Sequence, residues 1–390
     1  MNQPTARVTR LMAALAVLSA SLCMAAGAFA QSTVTVMGDD GEMTDIVTLQ
    51  PDQRTIDCQR LSPVEWTLPL TSEDLNPYDT RQIIVDVVLT APSGEVLMVP
   101  AFWHEAFDRS REGEAEVLTP SSEGEWRVRF TPTEAGEYTS EVQVGVPALG
   151  RAEEAGPTLQ VSDADGRGFL RVNEANNRYF VFDDGSPYFA LGHNVCWPHP
   201  EWKTYDYEDY FASMAEAGET YSRLWLGPGW SVFSLQHDDE LEWFDQKAAW
   251  RLDYVLDLAE QHGIYLMLCF ESFNYLRQTD PYPAWDQTPY RAEAGGPISE
   301  PAEFFTNEEA KRWFQNRLRY LIARHGHSTH VLSWQFWNEV DLTEGYDGDV
   351  VGPWHEEMAR FVKDVDVYDH LVTTSFANTR GDPRVWGVDE

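Results

Sequence analysis

Lysine is scarce in this chain of 390 residues. It occurs only at Lys203, Lys247, Lys311 and Lys363, and the chain carries 64 Asp and Glu against 28 Lys and Arg, for a net charge of −36. A surface this negative repels phosphate groups, which argues against nucleic acid and anionic membranes as partners. The composition suits an uncharged partner.

Cysteine is also scarce, and several motifs are missing. The four cysteines form no C-x-x-C pair, which argues against a cysteine zinc site and against a dense disulfide framework. No G-x-G-x-x-G or P-loop sequence is present, so the nucleotide-binding classes are disfavoured. Beyond the N-terminal run, no segment is long and apolar enough to cross a bilayer. We therefore expect no cofactor and no metal.

The first 30 residues predict a removed secretory signal. Arg7 and Arg10 precede LMAALAVLSASL, an apolar run too short to span a membrane. The sequence Ala28-Phe29-Ala30 then offers a small-x-small cleavage site. We therefore expect a secreted or periplasmic protein that is cleaved after Ala30.

Residues 31–168 predict a strand-rich region. The polar segment 31–51 is expected to be an irregular lead-in. In 52–161 apolar and polar residues alternate with a period of two, as in EWRVRF, and turn signals separate the runs. This pattern predicts an Ig-like β-sandwich domain of about 100 residues. The segment 162–168 (SDADGRG) is expected to be a linker.

Residues 169–390 alternate strand and helix patterns. Four helical patterns separate five strand-like segments, YFALGHNVCW, SRLWLGP, IYLMLCF, LSWQFWNE and LVTTSFAN. Each of these segments is a nearly continuous apolar run, which is typical of parallel strands covered on both faces. A doubly wound sheet and a (β/α)8 barrel both fit this order.

Polar or aromatic residues stand where these strands end. A barrel places its active site at the carboxyl ends of its strands, and flat aromatic rings can stack on sugar faces. The long segment 274–303 is expected to shape a cleft. The polar residues at strand ends are His193, Asn194, Glu271, Asn338, Glu339 and Asn378, and the nearby tryptophans are Trp197, Trp202, Trp230, Trp243 and Trp285.

The pair Asn338-Glu339 ends the fourth strand-like segment. A carboxyl group there can give a proton to a leaving oxygen and later take one from water. The neighbouring amide can hold a sugar hydroxyl beside the bond that breaks. Glycoside hydrolysis needs such an acid together with a second carboxylate across the sugar.

These residues resemble the clan A glycoside hydrolases, such as glycoside hydrolase family 5. In that clan the fourth barrel strand ends in Asn-Glu, and the Glu is the acid/base; Asn338 and Glu339 match this pair. Residues 167–390 resemble the first five units of such a (β/α)8 barrel. The stretch from FFTNEEAKRW to SWQFWNEVD resembles cellulase-like barrels that carry an N-terminal sandwich of unassigned role, and 52–161 resembles that sandwich.

The resemblance implies a retaining β-glycosidase that acts on an oligo- or polysaccharide. Glu339 would be the acid/base, and Arg223 would lie near the nucleophile. The nucleophile of the clan is a Glu on the seventh strand, so it is expected beyond residue 390, with Glu271 as its rival within the chain. The expected substrate contacts are Asn338, Arg223, His193, Asn194, Trp197 and Glu271.

Two other functions also fit the sequence. The chain could be a carbohydrate-binding protein, or an inactive truncated fragment, that keeps the cleft without turnover. Alternatively, the sandwich could be the working module and the barrel a remnant. Cellulose, mannan, xylan and other β-glycans all suit aromatic subsites.

Overall fold

The computed structural model divides the chain into two compact units. The first comprises the described residues of 1–104 and 124–165, and the second those of 105–123 and 166–390. The predicted signal segment and Trp230 lie outside the described residues. The structure describes residues 31–37, 42–227, 231–237 and 239–386.

Fourteen strands precede residue 166 within the described residues. They are β1 (Ser32–Met37), β2 (Met43–Leu49), β3 (Thr55–Gln59), β4 (Val64–Thr67), β5 (Leu70–Ser72), β6 (Ile84–Thr90), β7 (Val96–Pro100), β8 (Phe102–His104), β9 (Phe107–Glu112), β10 (Ala115–Pro120), β11 (Glu125–Phe130), β12 (Gly136–Val146), β13 (Gly150–Ala155) and β14 (Thr158–Ser162).

Twelve of these strands form the first unit. The sheets are β1-β2-β5, β4-β11-β8 and β3-β14-β12-β6-β7, with β13 paired to β12. The pairs are antiparallel except β3 with β14. The alternating sequence EWRVRF forms β11, and its apolar residues Trp126, Val128 and Phe130 are all buried. The predicted strand-rich region is thus confirmed.

The prediction of an irregular lead-in at 31–51 was wrong. This segment forms the antiparallel hairpin of β1 and β2. Val34 and Val36 alternate with threonines, so their side chains share one face of β1, and both are buried together with Val47 and Leu49. The polar composition concealed this short apolar stripe.

The second unit contains a five-stranded parallel sheet in the order β18-β19-β20-β21-β22. A doubly wound sheet reverses its strand order at a switch point, whereas here the strands follow chain order, as in a barrel. The strands of this part are β15 (Leu170–Val172), β16 (Phe180–Phe182), β17 (Pro187–Tyr188), β18 (Gly192–His193), β19 (Tyr221–Trp225), β20 (Tyr265–Ser272), β21 (Val331–Asn338) and β22 (Leu371–Thr373).

Helices connect the parallel strands, and their ends follow sequence signals. Asp245 accepts hydrogen bonds from Lys247 N and Ala248 N at the start of the second helix, which ends at Gly263 in the left-handed conformation. The helices are α1 (Thr204–Glu216), α2 (Gln246–His262), α3 (Glu308–His325), α4 (Gly348–Val365) and α5 (Pro383–Trp386). Short 3₁₀ helices span Phe273–Leu276, Trp285–Gln287, Ala292–Ala294, Pro301–Phe305 and Val340–Leu342.

The first parallel strand is shorter than the sequence pattern suggests. Only Gly192–His193 pairs with β19, while Tyr188 belongs to the antiparallel strand β17. Phe189 and Leu191 are 75% and 55% exposed, so the apolar run that predicted a buried strand lies partly at the surface. No helix of the described residues is long and apolar enough to cross a membrane.

The hairpin of β9 and β10 belongs to the second unit, although it lies inside the predicted sandwich segment 52–161. Glu116 of β10 accepts hydrogen bonds from Arg251 Nε at 2.6 Å and from Thr204 N at 3.1 Å. The guanidinium groups of Arg109 and Arg111 lie 3.4 and 3.7 Å from the centre of the Tyr205 ring. The predicted continuous sandwich is therefore interrupted, because these charged contacts attach residues 105–123 to α1 and α2.

Candidate active site

Glu339 follows β21 directly and leaves it in a strained conformation. Its backbone has φ 56° and ψ 54°, the left-handed region. A residue other than glycine in this region costs about 1–3 kcal/mol, and such residues cluster at functional sites. Glu339 N donates to Ser375 Oγ at 3.0 Å, and Val340 N donates to Ser375 O at 3.0 Å. The end of β22 therefore holds this turn in place.

The Glu339 side chain is half-buried, and its carboxylate is not engaged by any described residue. It has no hydrogen bond and no ion pair with any described residue. A carboxylate fixed at the carboxyl end of a parallel strand without a protein partner can exchange a proton with a bound molecule. The acid/base role of Glu339 stays a prediction.

Arg223 reaches the strand of Glu339 from two strands away. Its Nε donates to Gln335 Oε1 at 2.6 Å, and its Nη2 lies 3.6 Å from Cys269 Sγ. Gln335 in turn donates through Nε2 to Trp337 O at 3.1 Å. Arg223 forms no ion pair with the described residues, so its positive charge is not neutralised by a neighbouring acid.

Asn338 is buried beside the end of β20. It is 6% exposed, and its Nδ2 lies 3.4 Å from Ser272 Oγ. Asn338 and Glu339 thus lie at the end of β21, and Arg223 reaches the same strand at Gln335. Their roles in substrate binding stay predictions.

Glu271 is not at an accessible surface, contrary to its expected role as a substrate contact. It is 4% exposed, and its Oε1 accepts a charged hydrogen bond from Arg317 Nη2. Burial raises the pKa of the Glu271 carboxyl, while the Arg317 charge opposes that rise. Arg317 lies on α3, so the Glu271 side chain reaches the helix layer, and its position at a strand end misled the sequence interpretation.

His193 and Asn194 lie away from Glu339. Both are exposed at β18, which pairs only with β19 among the described strands. The His193 Nδ1 lies 2.7 Å from Glu219 Oε2, near the start of β19. The structure shows no contact between either of these residues and Glu339, and their role in substrate binding stays a prediction.

Trp197 lies in an aromatic pocket after β18. It is 44% exposed, and its ring centre is 5.0 Å from that of Trp225, the last residue of β19. Trp202 and Trp243 are also partly exposed, at 42% and 47%. The pocket has a volume of about 660 Å³, and its lining is Trp197, Pro198, His199, Pro200, Tyr210, Ser231 and Val232.

Sequence reasoning missed the residues that support this site. Gln335 is a polar residue within an apolar strand, and Ser375 lies within the fifth strand-like segment. Both are visible as interruptions of apolar runs, yet only the fold shows that they contact Arg223 and Glu339. Within the described ranges, no group of three or more His, Cys, Asp or Glu side chains could hold a metal ion.

A buried histidine links α4 to the strand end next to Ser375. His355 Nδ1 donates to Val351 O at 2.8 Å, and its Nε2 accepts from Thr374 Oγ1 at 3.1 Å. Burial lowers the pKa of His355 to about 4. The imidazole is therefore neutral in the folded protein at neutral pH.

We expect this histidine to make stability depend on pH. Its pKa is about 6.5 in the unfolded chain, so its contribution is intact above pH 6.5 and is lost as the pH falls towards 4. The loss reaches about 2 kcal/mol at pH 5. Urea unfolding at pH 7.5 and pH 5 should show a smaller pH effect for His355→Gln than for the unmodified protein, and equal pH effects would contradict the assignment.

The chain matches one protein-family model and is similar in sequence to several known proteins. Residues 57–145 match a family model described as a domain of unknown function, DUF5060. Mannan endo-1,4-beta-mannosidase 5 of Solanum lycopersicum is 26% identical over 249 residues, which are 60% of this chain and 57% of that protein. Mannan endo-1,4-beta-mannosidase 1 of Oryza sativa subsp. japonica is 30% identical over 250 residues, 58% of this chain and 51% of that protein.

The fold also has a counterpart among solved structures. A candidate glycoside hydrolase from Bacteroides vulgatus aligns with a TM-score of 0.55 and 19% identity, over 83% of this chain and 56% of that one. The chain spans about half the length of the curated relatives that it matches. The resemblance to the clan A glycoside hydrolases that the sequence indicates is confirmed, and the N-terminal domain has no assigned role.

Proposed function

We propose that the protein is a secreted glycoside hydrolase that cleaves β-linked polysaccharide with Glu339 as its general acid/base. The observation that carries this proposal is the half-buried Glu339 carboxylate, which has no partner among the described residues and stands in a strained turn at a strand end. The position of Asn338-Glu339 on the fourth of five consecutive parallel strands supports it.

The proposed mechanism is a retaining double displacement. Glu339 donates its proton to the glycosidic oxygen while a second carboxylate attacks the anomeric carbon, so that the leaving sugar departs as an alcohol. Glu339 then takes a proton from water, which attacks the glycosyl-enzyme ester and frees the second carboxylate. The family resemblance implies a Glu of the seventh barrel strand as that nucleophile, and the ion pair of Glu271 with Arg317 argues against Glu271 in this role.

We propose β-1,4-mannan as the first substrate class to test. Two relatives are named as mannan endo-1,4-beta-mannosidases. The aromatic pocket at Trp197 and Trp225 offers ring faces on which sugars can stack. Arg223, which has no acidic partner, offers donors for sugar hydroxyls.

The test measures hydrolysis of polysaccharide by the purified protein. We expect it to shorten β-1,4-mannan and to release products that first appear as the β-anomer, as retention requires. NMR of the anomeric protons during the first minutes measures this outcome, with β-1,4-glucan and xylan as parallel substrates. Release of the α-anomer would contradict retention. Binding of these glycans without any cleavage would instead support the carbohydrate-binding alternative.

A further inference from the structure

A second pocket in the second unit is lined by several basic side chains, although the protein as a whole is very acidic. It has an accessible volume of about 470 Å³ and lies beside the connections that follow β18 and β19. We call it the cationic pocket. Its lining is Glu116, Val117, Leu118, Lys203, Ser231, Val232, Ser234, His237, Asp245, Lys247 and Arg251.

Two of the four lysines of the chain line this one pocket. The other two are each paired with acids: Lys311 Nζ lies 3.0 Å from Glu308 and 2.9 Å from Glu357, and Lys363 Nζ bonds to Asp369. By contrast, neither Lys203 nor Lys247 forms a side-chain hydrogen bond or an ion pair with a described residue. In a chain of net charge −36, unpaired lysines that face the same cavity call for an explanation.

The acids of the cationic pocket already have partners. Glu116 pairs with Arg251 and caps α1 through Thr204 N. Asp245 caps α2 and lies 2.9 Å from His237 Nε2. Neither acid forms an ion pair with a lysine amine, although the charges of both act on Lys203 from a distance. With Lys203, Lys247 and Arg251 against Glu116 and Asp245, the lining has an excess of one positive charge.

Lys203 stands in an unfavourable position. Its backbone is left-handed at φ 50°, a strained conformation for a lysine. Partial burial and the nearby Arg251 charge lower the pKa of its amine. A bound anion would favour the charged form of this amine by its opposite charge.

The cationic pocket adjoins the aromatic pocket of Trp197. Ser231 and Val232 line both. Ser231 Oγ also donates to Trp225 O at 2.5 Å, which ties this shared wall to the end of β19. A sugar stacked near Trp197 would therefore be separated from the pocket of the lysines by the wall that Ser231 and Val232 form.

We propose that the cationic pocket binds the acid group of a substituted β-glycan, either a uronate carboxylate or a sulfate ester, through Lys203 and Lys247. Both groups are oxyanions that ammonium groups bind by charge-assisted hydrogen bonds. The proposal rests on the proposed function, because it assigns an acidic substituent to the glycan that the same face binds. It also gives the hairpin of β9 and β10 a role, since Glu116 holds Arg251 and α1 in place around the pocket.

Binding can be measured without turnover. Isothermal titration calorimetry would use the complete protein with Glu339→Gln and three probes: a β-1,4-linked oligomannuronate, a sulfated carrageenan oligosaccharide and neutral mannohexaose. We expect one acidic probe to bind at least 10-fold more tightly than mannohexaose, and which of the two does so identifies the acid group. Added Lys203→Gln and Lys247→Gln should remove that preference and leave the affinity for mannohexaose unchanged.

The control exchanges the other two lysines, Lys311→Gln with Lys363→Gln, and should keep the preference. Thermal unfolding verifies that both double variants are folded. Equal affinities for all three probes, or an acidic preference that survives Lys203→Gln with Lys247→Gln, would overturn the proposal. So would equally tight binding of inorganic sulfate, because the sugar would then contribute nothing. An acidic preference in a protein that cleaves no glycan would refute only the proposed hydrolase activity.

Discussion

Replacing Glu339 by glutamine is expected to lower kcat on polysaccharide by about 10²–10⁴-fold and to change substrate affinity little. Glutamine keeps the size of the side chain and can still form hydrogen bonds, but it has no proton to give at the glycosidic oxygen. The Glu339 carboxylate has no partner among the described residues, so the exchange should disturb few contacts. Steady-state kinetics on the substrate identified above measure the effect.

The leaving group provides a sharper test of the role of Glu339. A dinitrophenolate leaves without help from an acid, so the first step on a dinitrophenyl glycoside should depend little on this carboxyl group. We therefore expect Glu339→Gln to slow the burst of dinitrophenol far less than it slows polysaccharide cleavage. If the role of Glu339 were purely structural, Glu339→Gln would slow dinitrophenol release and polysaccharide cleavage to the same extent.

Glu356 provides a matched control for this substitution. It lies exposed on α4 and pairs with Arg360 one turn later. Glu356→Gln removes the same charge from the same unit, and we expect kcat to stay within about twofold because surface pairs contribute little. If Glu339→Gln retained full activity on polysaccharide, Glu339 could not be the acid/base.

The alternating part of the chain was predictable because its signals are local. Each parallel strand is an apolar run, and caps such as Asp245 and Gly263 mark the helix ends within a few residues. The placement of Glu339 followed from the same pattern, since a polar pair directly after a buried strand must lie at its carboxyl end. These signals need no knowledge of distant contacts.

The errors came from contacts between residues far apart in sequence. Glu116 looks like one more polar residue of an alternating strand, but on β10 it shares its face with Leu118, and both are buried. Its partners Thr204 and Arg251 lie about 90 and 135 residues away. Periodicity does not encode such pairings, so the membership of the β9 and β10 hairpin in the second unit could not be predicted.

Glu271 shows the same limit at the site itself. Its place after an apolar run is like that of Glu339, and the sequence therefore offers it as the rival nucleophile within the chain. Only the fold shows that α3 brings Arg317 against Glu271, while Glu339 follows its strand in a left-handed backbone conformation. Whether a carboxylate at such a position has a structural or a catalytic role therefore depends on whether a side chain of a neighbouring helix forms an ion pair with it.

The second prediction with a large expected effect concerns the buried ion pair between Glu271 and Arg317. Both side chains are almost completely buried, at 5% and 3% exposure. Removing one partner of such a pair leaves an uncompensated charge and typically costs about 3–5 kcal/mol. We therefore expect Glu271→Gln and Arg317→Met each to lower the free energy of unfolding by about this amount in urea titrations at pH 7.5.

The two single variants should differ in their response to pH. In Arg317→Met the buried Glu271 can take up a proton, and its pKa is already raised in the folded protein. The penalty should therefore be small near pH 4.5, where the unfolded carboxyl is also protonated, and should grow as the pH rises. In Glu271→Gln the buried Arg317 cannot lose its charge. The loss of unfolding free energy in this variant should therefore be similar at pH 4.5 and at higher pH.

The double variant completes a thermodynamic cycle. With both charges gone no ion is left unpaired, so Glu271→Gln combined with Arg317→Met should be less destabilised than the two single variants added together, by more than about 1 kcal/mol. Kinetics on the same proteins separate a structural role from a chemical one. If Glu271→Gln abolished turnover at unchanged stability, Glu271 would contact the substrate after all, and the buried pair would not be its main role.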